Sequence, residues 1–144
     1  MKLYLSALLL LLTSCGLHQY KKSEFIPQSG SSIQILVPRK WSKVVTSPDG
    51  AGGVEKSYTY SNGATFYVTN SLNPINPAER IDTAQHIPLE HSSGGLMFKG
   101  VMPGLLYWRE VQKGAYRFGY RNVPTELENR FDSAINFSMA MRPV

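Results

Sequence analysis

Alternation with a period of two constrains this chain more than any other feature of it. Ile33, Ile35 and Val37 alternate with Gln34 and Leu36 until Pro38 ends the run, which predicts a first strand. Residues 54–60 and 64–69 are rich in tyrosine, threonine and valine and flank Ser61-Asn62-Gly63. Asn-Gly is a strong hairpin signal, because a two-residue type I′ turn needs positive φ at both central positions. Such a turn at Asn62-Gly63 sets Ala64, Phe66 and Val68 on one face and Tyr58, Tyr60 and Tyr67 on the other. Both faces then carry apolar area, so one lies on the core and the other is at least partly covered.

A second hairpin is predicted from residues 105–111 and 115–121 around Lys113-Gly114. A two-residue turn there pairs Glu110 with Arg117 and puts Tyr107, Val111, Tyr116, Phe118 and Tyr120 on one face. A three-residue loop over residues 112–114 instead sets Arg109 opposite Arg117 and gathers Leu106 and Trp108 with Tyr116, Phe118 and Tyr120. Like-charge repulsion favours the first register. One helix follows. Pro124 precedes Thr125-Glu126-Leu127-Glu128, a capping-box pattern, and Leu127, Phe131, Ala134 and Ile135 form an apolar stripe at helical spacing. After Asn136 the period returns to two at Phe137, Met139 and Met141, predicting a closing strand stopped by Pro143. Between residues 70 and 104 the pattern is irregular, with a short helix predicted at residues 76–81 and a strand at residues 96–101.

The amino terminus is of another kind. Lys2 precedes an apolar run over residues 3–12, too short for a bilayer that needs roughly 20 apolar residues. The run ends in Leu12-Thr13-Ser14-Cys15, which resembles the lipobox of bacterial lipoproteins. The resemblance implies that the Cys15 thiol is acylated and that cleavage before it removes residues 1–14 as a signal peptide. Cys15 is the only cysteine, so no disulfide within the chain is possible, and acylation removes an otherwise free exported thiol. An ordinary signal peptide or an uncleaved helical anchor is the alternative. Gly16 stands where an aspartate retains Gram-negative lipoproteins at the inner membrane, so the resemblance implies the outer membrane, facing the periplasm. Residues 15–32 are polar and read as a lipidated flexible tether, leaving residues 33–144 as the single domain.

Within that domain, "IQILVPRKW" (Ile33 to Trp41) and "YRNVPTELENRFDSAINFSM" (Tyr120 to Met139) resemble the opening and closing of PsbP-like domains. The resemblance implies an antiparallel sheet between helices and an assembly or accessory role. The middle of the chain does not follow the pattern, and glycine-rich sequence at residues 49–53 replaces the helix expected after the first strand.

Chemistry-bearing motifs are sparse. Of three histidines, His18 falls in the predicted tether, while His86 and His91 are five apart rather than at the four-residue spacing of a helical zinc site. Asp82 and Glu90 lie near them, and Ser92 and Ser93 follow, without a nucleophile elbow. Gly94-Gly95 and the glycines at 50, 52 and 53 lack the context of a phosphate loop. No metal site or cofactor is predicted. The formal net charge of +5 is mild, and export sets nucleic acid aside as a partner. The best binding candidate is an aromatic–arginine patch of Trp108, Arg109, Arg117, Tyr120 and Arg121.

The sequence therefore predicts an α+β domain: an antiparallel sheet of five to seven strands with a packed C-terminal helix, behind a signal peptide and tether. The functional expectation is a non-enzymatic envelope lipoprotein, held to membrane lipid through acylated Cys15. It binds a protein, or an anionic glycan or lipid of the envelope, as an accessory or assembly factor. A small membrane-tethered hydrolase of an envelope polymer is the alternative, and a factor that works by occupying a surface is a third.

Overall fold

Two meanders of antiparallel strands share one seam in the computed structural model. It describes residues 18–48, 52–70, 86–90 and 96–141, with side chains described outside residues 86–90 and 96. The strands are β1 (Tyr20–Phe25), β2 (Ile33–Pro38), β3 (Trp41–Pro48), β4 (Val54–Tyr60), β5 (Thr65–Thr69), β6 (His86–Glu90), β7 (Leu96–Met102), β8 (Leu106–Lys113) and β9 (Tyr116–Pro124). One helix, α1 (Thr125–Ala140), follows directly. Among the described residues the main sheet has seven strands in the order β3-β4-β5-β9-β8-β7-β6, and β1 and β2 form a separate antiparallel pair. The chain is α+β and mostly β, as the period-two runs predict. Among the described residues α1 is the one helix, whereas the PsbP-like resemblance implied helices on both sides.

The β1–β2 pair and α1 lie together over one face of the sheet. Ile33, Ile35 and Val37 of β2, Phe25 of β1 and Phe131, Ala134 and Ile135 of α1 share one cluster with Tyr58, Phe66, Val68, Val111, Phe118 and Tyr120 of the sheet. Phe131 is the hub. Its ring lies 5.1 Å from that of Tyr60 and 5.7 Å from that of Tyr120, both edge-on, and 6.4 Å from that of Phe66. Edge-to-face rings at such distances add to the gain from burial itself. Ser138, three residues beyond Ile135 on the same buried stripe, accepts from the Leu36 amide at 2.9 Å and donates to the Leu36 carbonyl at 3.3 Å. One hydroxyl thus ties the helix to β2 and satisfies both of its backbone groups.

Several expectations are corrected. The β4–β5 hairpin has a three-residue loop: Gly63 N–H bonds the Tyr60 carbonyl, Tyr60 N–H bonds the Ala64 carbonyl, and only Gly63 (φ 84°) is left-handed. Asn62 instead accepts from the Ala64 amide, at 3.1 Å. One extra loop residue reverses the facing of β4, so Tyr58 pairs with Phe66 and both point into the core. In the second hairpin the turn is Gly114-Ala115, with Lys113 paired to Tyr116, Gln112 to Arg117 and Glu110 to Gly119. Neither predicted register forms. Gly114 (φ 59°) supplies positive φ at the first central position, the type II′ pattern, and this register puts Val111 beside Phe118 in the core.

The capping box does not form either. Thr125 is already helical, the N-cap is Pro124, and no side chain among the described residues caps the helix. Nor is there a closing strand, because α1 runs on to Ala140 with Ser138 on its buried stripe. The predicted helix at residues 76–81 lies outside the described residues. The strand predicted at 96–101 is β7.

The largest correction concerns the tether. β1 falls inside residues 15–32 and pairs along its whole length with β2, from Tyr20 opposite Pro38 to Phe25 opposite Ile33. Phe25 is fully buried. The Arg39 side chain donates through Nε to the Tyr20 carbonyl at 2.9 Å, and Arg130 of α1 donates to the Gln19 carbonyl at 2.8 Å. The fold therefore includes residues from Gln19 onward, not only those from Ile33. Phe25→Ala is expected to cost about 3 to 5 kcal/mol in denaturant unfolding of the protein; a cost below about 0.5 kcal/mol, as for a surface position, would restore the tether.

Candidate functional site

The predicted aromatic–arginine patch is not a surface. Trp108, Arg109, Arg117 and Tyr120 are all buried, and only Arg121 keeps an appreciably exposed side chain, at 37%. The five residues are also divided between the two faces of the sheet, because register sets Arg109 beside Tyr120 and leaves their chain neighbours on the opposite side. Between the Tyr107–Val123 and Arg109–Tyr120 pairs β9 has one residue more than β8, a bulge at Arg121-Asn122 with Asn122 left-handed (φ 56°).

On the helix side, Tyr120, Arg109 and Lys99 lie in one row across β9, β8 and β7. Above them α1 presents Glu128, Asp132 and Asn136, four residues apart and so on one stripe of the helix. Arg109 donates to Asp132 Oδ1 at 2.9 Å and to Asn136 Oδ1 at 3.1 Å, and its Nε meets the Met97 sulfur at 3.2 Å. Tyr120 donates its hydroxyl to the same Asp132 oxygen at 2.8 Å. Lys99 reaches Glu128 and lies 3.5 Å from Asp132 Oδ2. Burial alone would lower the Lys99 pKa, but these carboxylates outweigh it and hold the amine charged to higher pH. The arginine that sequence reasoning offered to a ligand is taken up by the helix. A polar stripe at 128, 132 and 136 beside the apolar one was the signal for it.

The opposite face buries charge as well. Tyr67 lies across β9 and donates to Glu110 Oε2 of β8 at 2.5 Å, while Arg117 comes within 3.9 Å of the other Glu110 oxygen. The Tyr67 ring can cross only because Gly119 lies beneath it: a Cβ there would come within 2.2 Å of the ring. Gly100 admits the Trp108 indole in the same way. Arg121 stacks over the Tyr67 ring at 5.4 Å and lies 3.9 Å from Glu55. Burial, then the Glu110 charge, pushes the Tyr67 hydroxyl well above the ordinary tyrosine range; burial and Asp132 do the same to Tyr120.

Among the described residues, two open concavities lie at opposite ends of β2 and α1. The first is an apolar groove of about 560 Å³ where the Gly114-Ala115 turn meets the end of α1, lined by Ile33, Tyr116, Phe118, Met139 and Met141. Lys113 bridges its rim to the Met139 carbonyl, and Tyr116 donates to the Ser31 carbonyl at 2.7 Å. The second, of about 700 Å³, lies where the chain enters the domain and is bordered by His18, Arg39, Lys40 and Arg130, with Glu126 and Leu127 of the first helical turn. His18 is exposed there.

No family model, curated protein or solved structure matches this chain. Among the described residues no group of histidine, cysteine and carboxylate side chains could hold a metal ion, and no helix is long and apolar enough to cross a membrane. Cys15, Asp82, His91, Ser92 and Ser93 lie outside the described residues, as do the side chains of His86 and Glu90. The chemistry legible on the described domain is that of an apolar groove and a basic cleft.

Two outcomes follow. Asp132→Ala, which leaves buried Arg109 and Tyr120 without their shared acceptor, is expected to cost about 3 kcal/mol in denaturant unfolding. The second concerns pH. Tyr60, Tyr67 and Tyr120 keep their protons in the folded state beyond the pH near 10.0 at which the unfolded chain sheds them. Their contribution is complete below that pH and declines as pH rises above it, by about 1.4 kcal/mol per pH unit for each proton. Melting curves between neutral and strongly alkaline pH should show the decline, and Tyr67→Phe should make it shallower.

Proposed function

We propose that this chain is an exported lipoprotein whose folded domain, held to a membrane by acylated Cys15, binds a protein or another envelope component as an accessory factor. The observation that carries the reading is the single cysteine standing where Leu12-Thr13-Ser14 closes a charged-then-apolar leader. Each acyl methylene buried in lipid contributes about 0.8 kcal/mol, so two or more chains hold the protein firmly where one would not. Gly16 in place of aspartate favours the outer membrane, with the domain in the periplasm.

The apolar groove between Tyr116 and Met141 is the part of the domain best suited to a partner. Its lining methionines adapt to varied apolar shapes, and its aromatic walls supply rigid contact area. It also lies at the far end of β2 from the point where the chain enters the domain, so a partner is offered the end remote from the anchor.

Radiolabelled palmitate should enter the wild-type protein in cells and be absent from Cys15→Ala; equal labelling of the two would remove the anchor. Met141→Asp, at the half-exposed rim of the groove, should fold normally yet lose the proteins captured by the wild type from solubilised envelopes. An unchanged set of captured proteins would take the groove out of the account.

A further inference from the structure

The point at which the chain enters the domain is fixed. Arg130 spans it by donating to the Gln19 carbonyl at 2.8 Å and the Arg39 carbonyl at 3.2 Å. The Arg39 amide also bonds the Gln19 carbonyl, at 2.9 Å. Cys15 precedes Gln19 by four residues, a reach of at most about 14 Å when fully extended. A membrane that holds Cys15 therefore cannot be far from this end of the domain. With a long tether any face could meet the lipid; with four residues the choice is narrow.

The charge at this end matches such a surface. Arg39 and Lys40 are exposed in the connection between β2 and β3, and Arg130 projects from α1 into the same cleft with His18. Among the described residues bordering the cleft, Glu126 is the one carboxylate, against the permanent cations Arg39, Lys40 and Arg130. Arg130 spends its terminal amine on the two carbonyls, and its buried Nε has no hydrogen-bond partner among the described residues. Lys21 and Lys22 extend the basic surface along β1, where Lys21 lies 5.5 Å over the Trp41 ring. Leu105 is 68% exposed in the turn before β8, whose first residue pairs with Pro124 at the start of α1, so an apolar side chain stands at the same end.

We infer that the end of the domain formed by Arg39, Lys40, Arg130 and the residues entering at His18 rests on anionic lipid headgroups, orienting the domain with its apolar groove away from the membrane. The inference rests on the anchoring of Cys15 proposed above. Lysine and arginine side chains close to an anionic leaflet each gain attraction worth about a fivefold change in occupancy, and the attraction is lost within a Debye length, about 8 Å at physiological ionic strength. The short span from Cys15 keeps these cations near that range, so the anchor and the charges act on the same face.

The test uses protein purified from membranes and vesicles of phosphatidylcholine, with or without phosphatidylglycerol. A water-soluble acetylating reagent then reports the exposure of each lysine, read by mass spectrometry. Lys40 marks the basic end and Lys113 the groove end; both are exposed. Flotation with neutral vesicles reads the anchor. Modification of Lys40 should fall about fivefold or more on anionic vesicles relative to neutral ones, with Lys113 little changed and the protection reversed by high salt. Flotation with anionic vesicles alone, still with Lys40 protected, would refute the anchor while supporting the basic face. Equal modification of Lys40 and Lys113 on anionic vesicles, or no association with them, would overturn the orientation.

Discussion

The packing of Phe131 against the rings of Tyr60, Phe66 and Tyr120 is the contact on which the rest of this structure depends. It joins four elements at once, since Tyr60 comes from β4, Phe66 from β5, Tyr120 from β9 and Phe131 from α1. A sheet with an apolar face needs a second layer to cover it. Here that layer has two unlike parts, a two-stranded pair and a helix, and neither covers the core alone. The Ser138 hydroxyl on Leu36 holds the two parts to each other, so the layer closes as a unit.

Charge is used to hold this arrangement in register. The α1 stripe of Glu128, Asp132 and Asn136 matches Lys99 and Arg109 across the sheet, while its apolar stripe meets the core. A rotation of the helix would bury one set of groups against the wrong partners. Buried pairs of this kind add modestly to net stability but make alternatives costly, because an unpartnered buried charge is expensive. The same demand explains why arginines and aromatic rings that look like a recognition surface in the sequence are held inside the domain instead.

The period-two runs and the apolar stripe at Leu127, Phe131, Ala134 and Ile135 made the sheet and the helix legible. What could not be read was set by single residues. One extra residue in the Ser61-Asn62-Gly63 loop reversed the facing of Tyr58 and Tyr60, since a strand's side chains alternate and a shift of one inverts them. A bulge at Arg121-Asn122 did the same locally. At the end of the chain, Phe137, Met139 and Met141 suggested a strand because Ser138, a polar residue, fills a buried helical position by bonding β2. Polar composition likewise hid β1, whose exposed residues are Lys21, Lys22 and Glu24 and whose one deeply buried side chain is Phe25. Of the site, the groove and the basic cleft were not legible, because each gathers residues from separate elements.

If Cys15 is acylated as proposed, the domain has two ends with different tasks: a basic one near the lipid and an apolar groove beyond it. Both assignments rest on β1 being part of the fold, since a free segment up to Ser32 would let the domain turn in any direction. Native-state hydrogen exchange across residues 20–25 tests this most directly. The β1 amides bonded to β2 should exchange as slowly as those of β2 itself; exchange at the rate of an unstructured peptide would contradict the pairing.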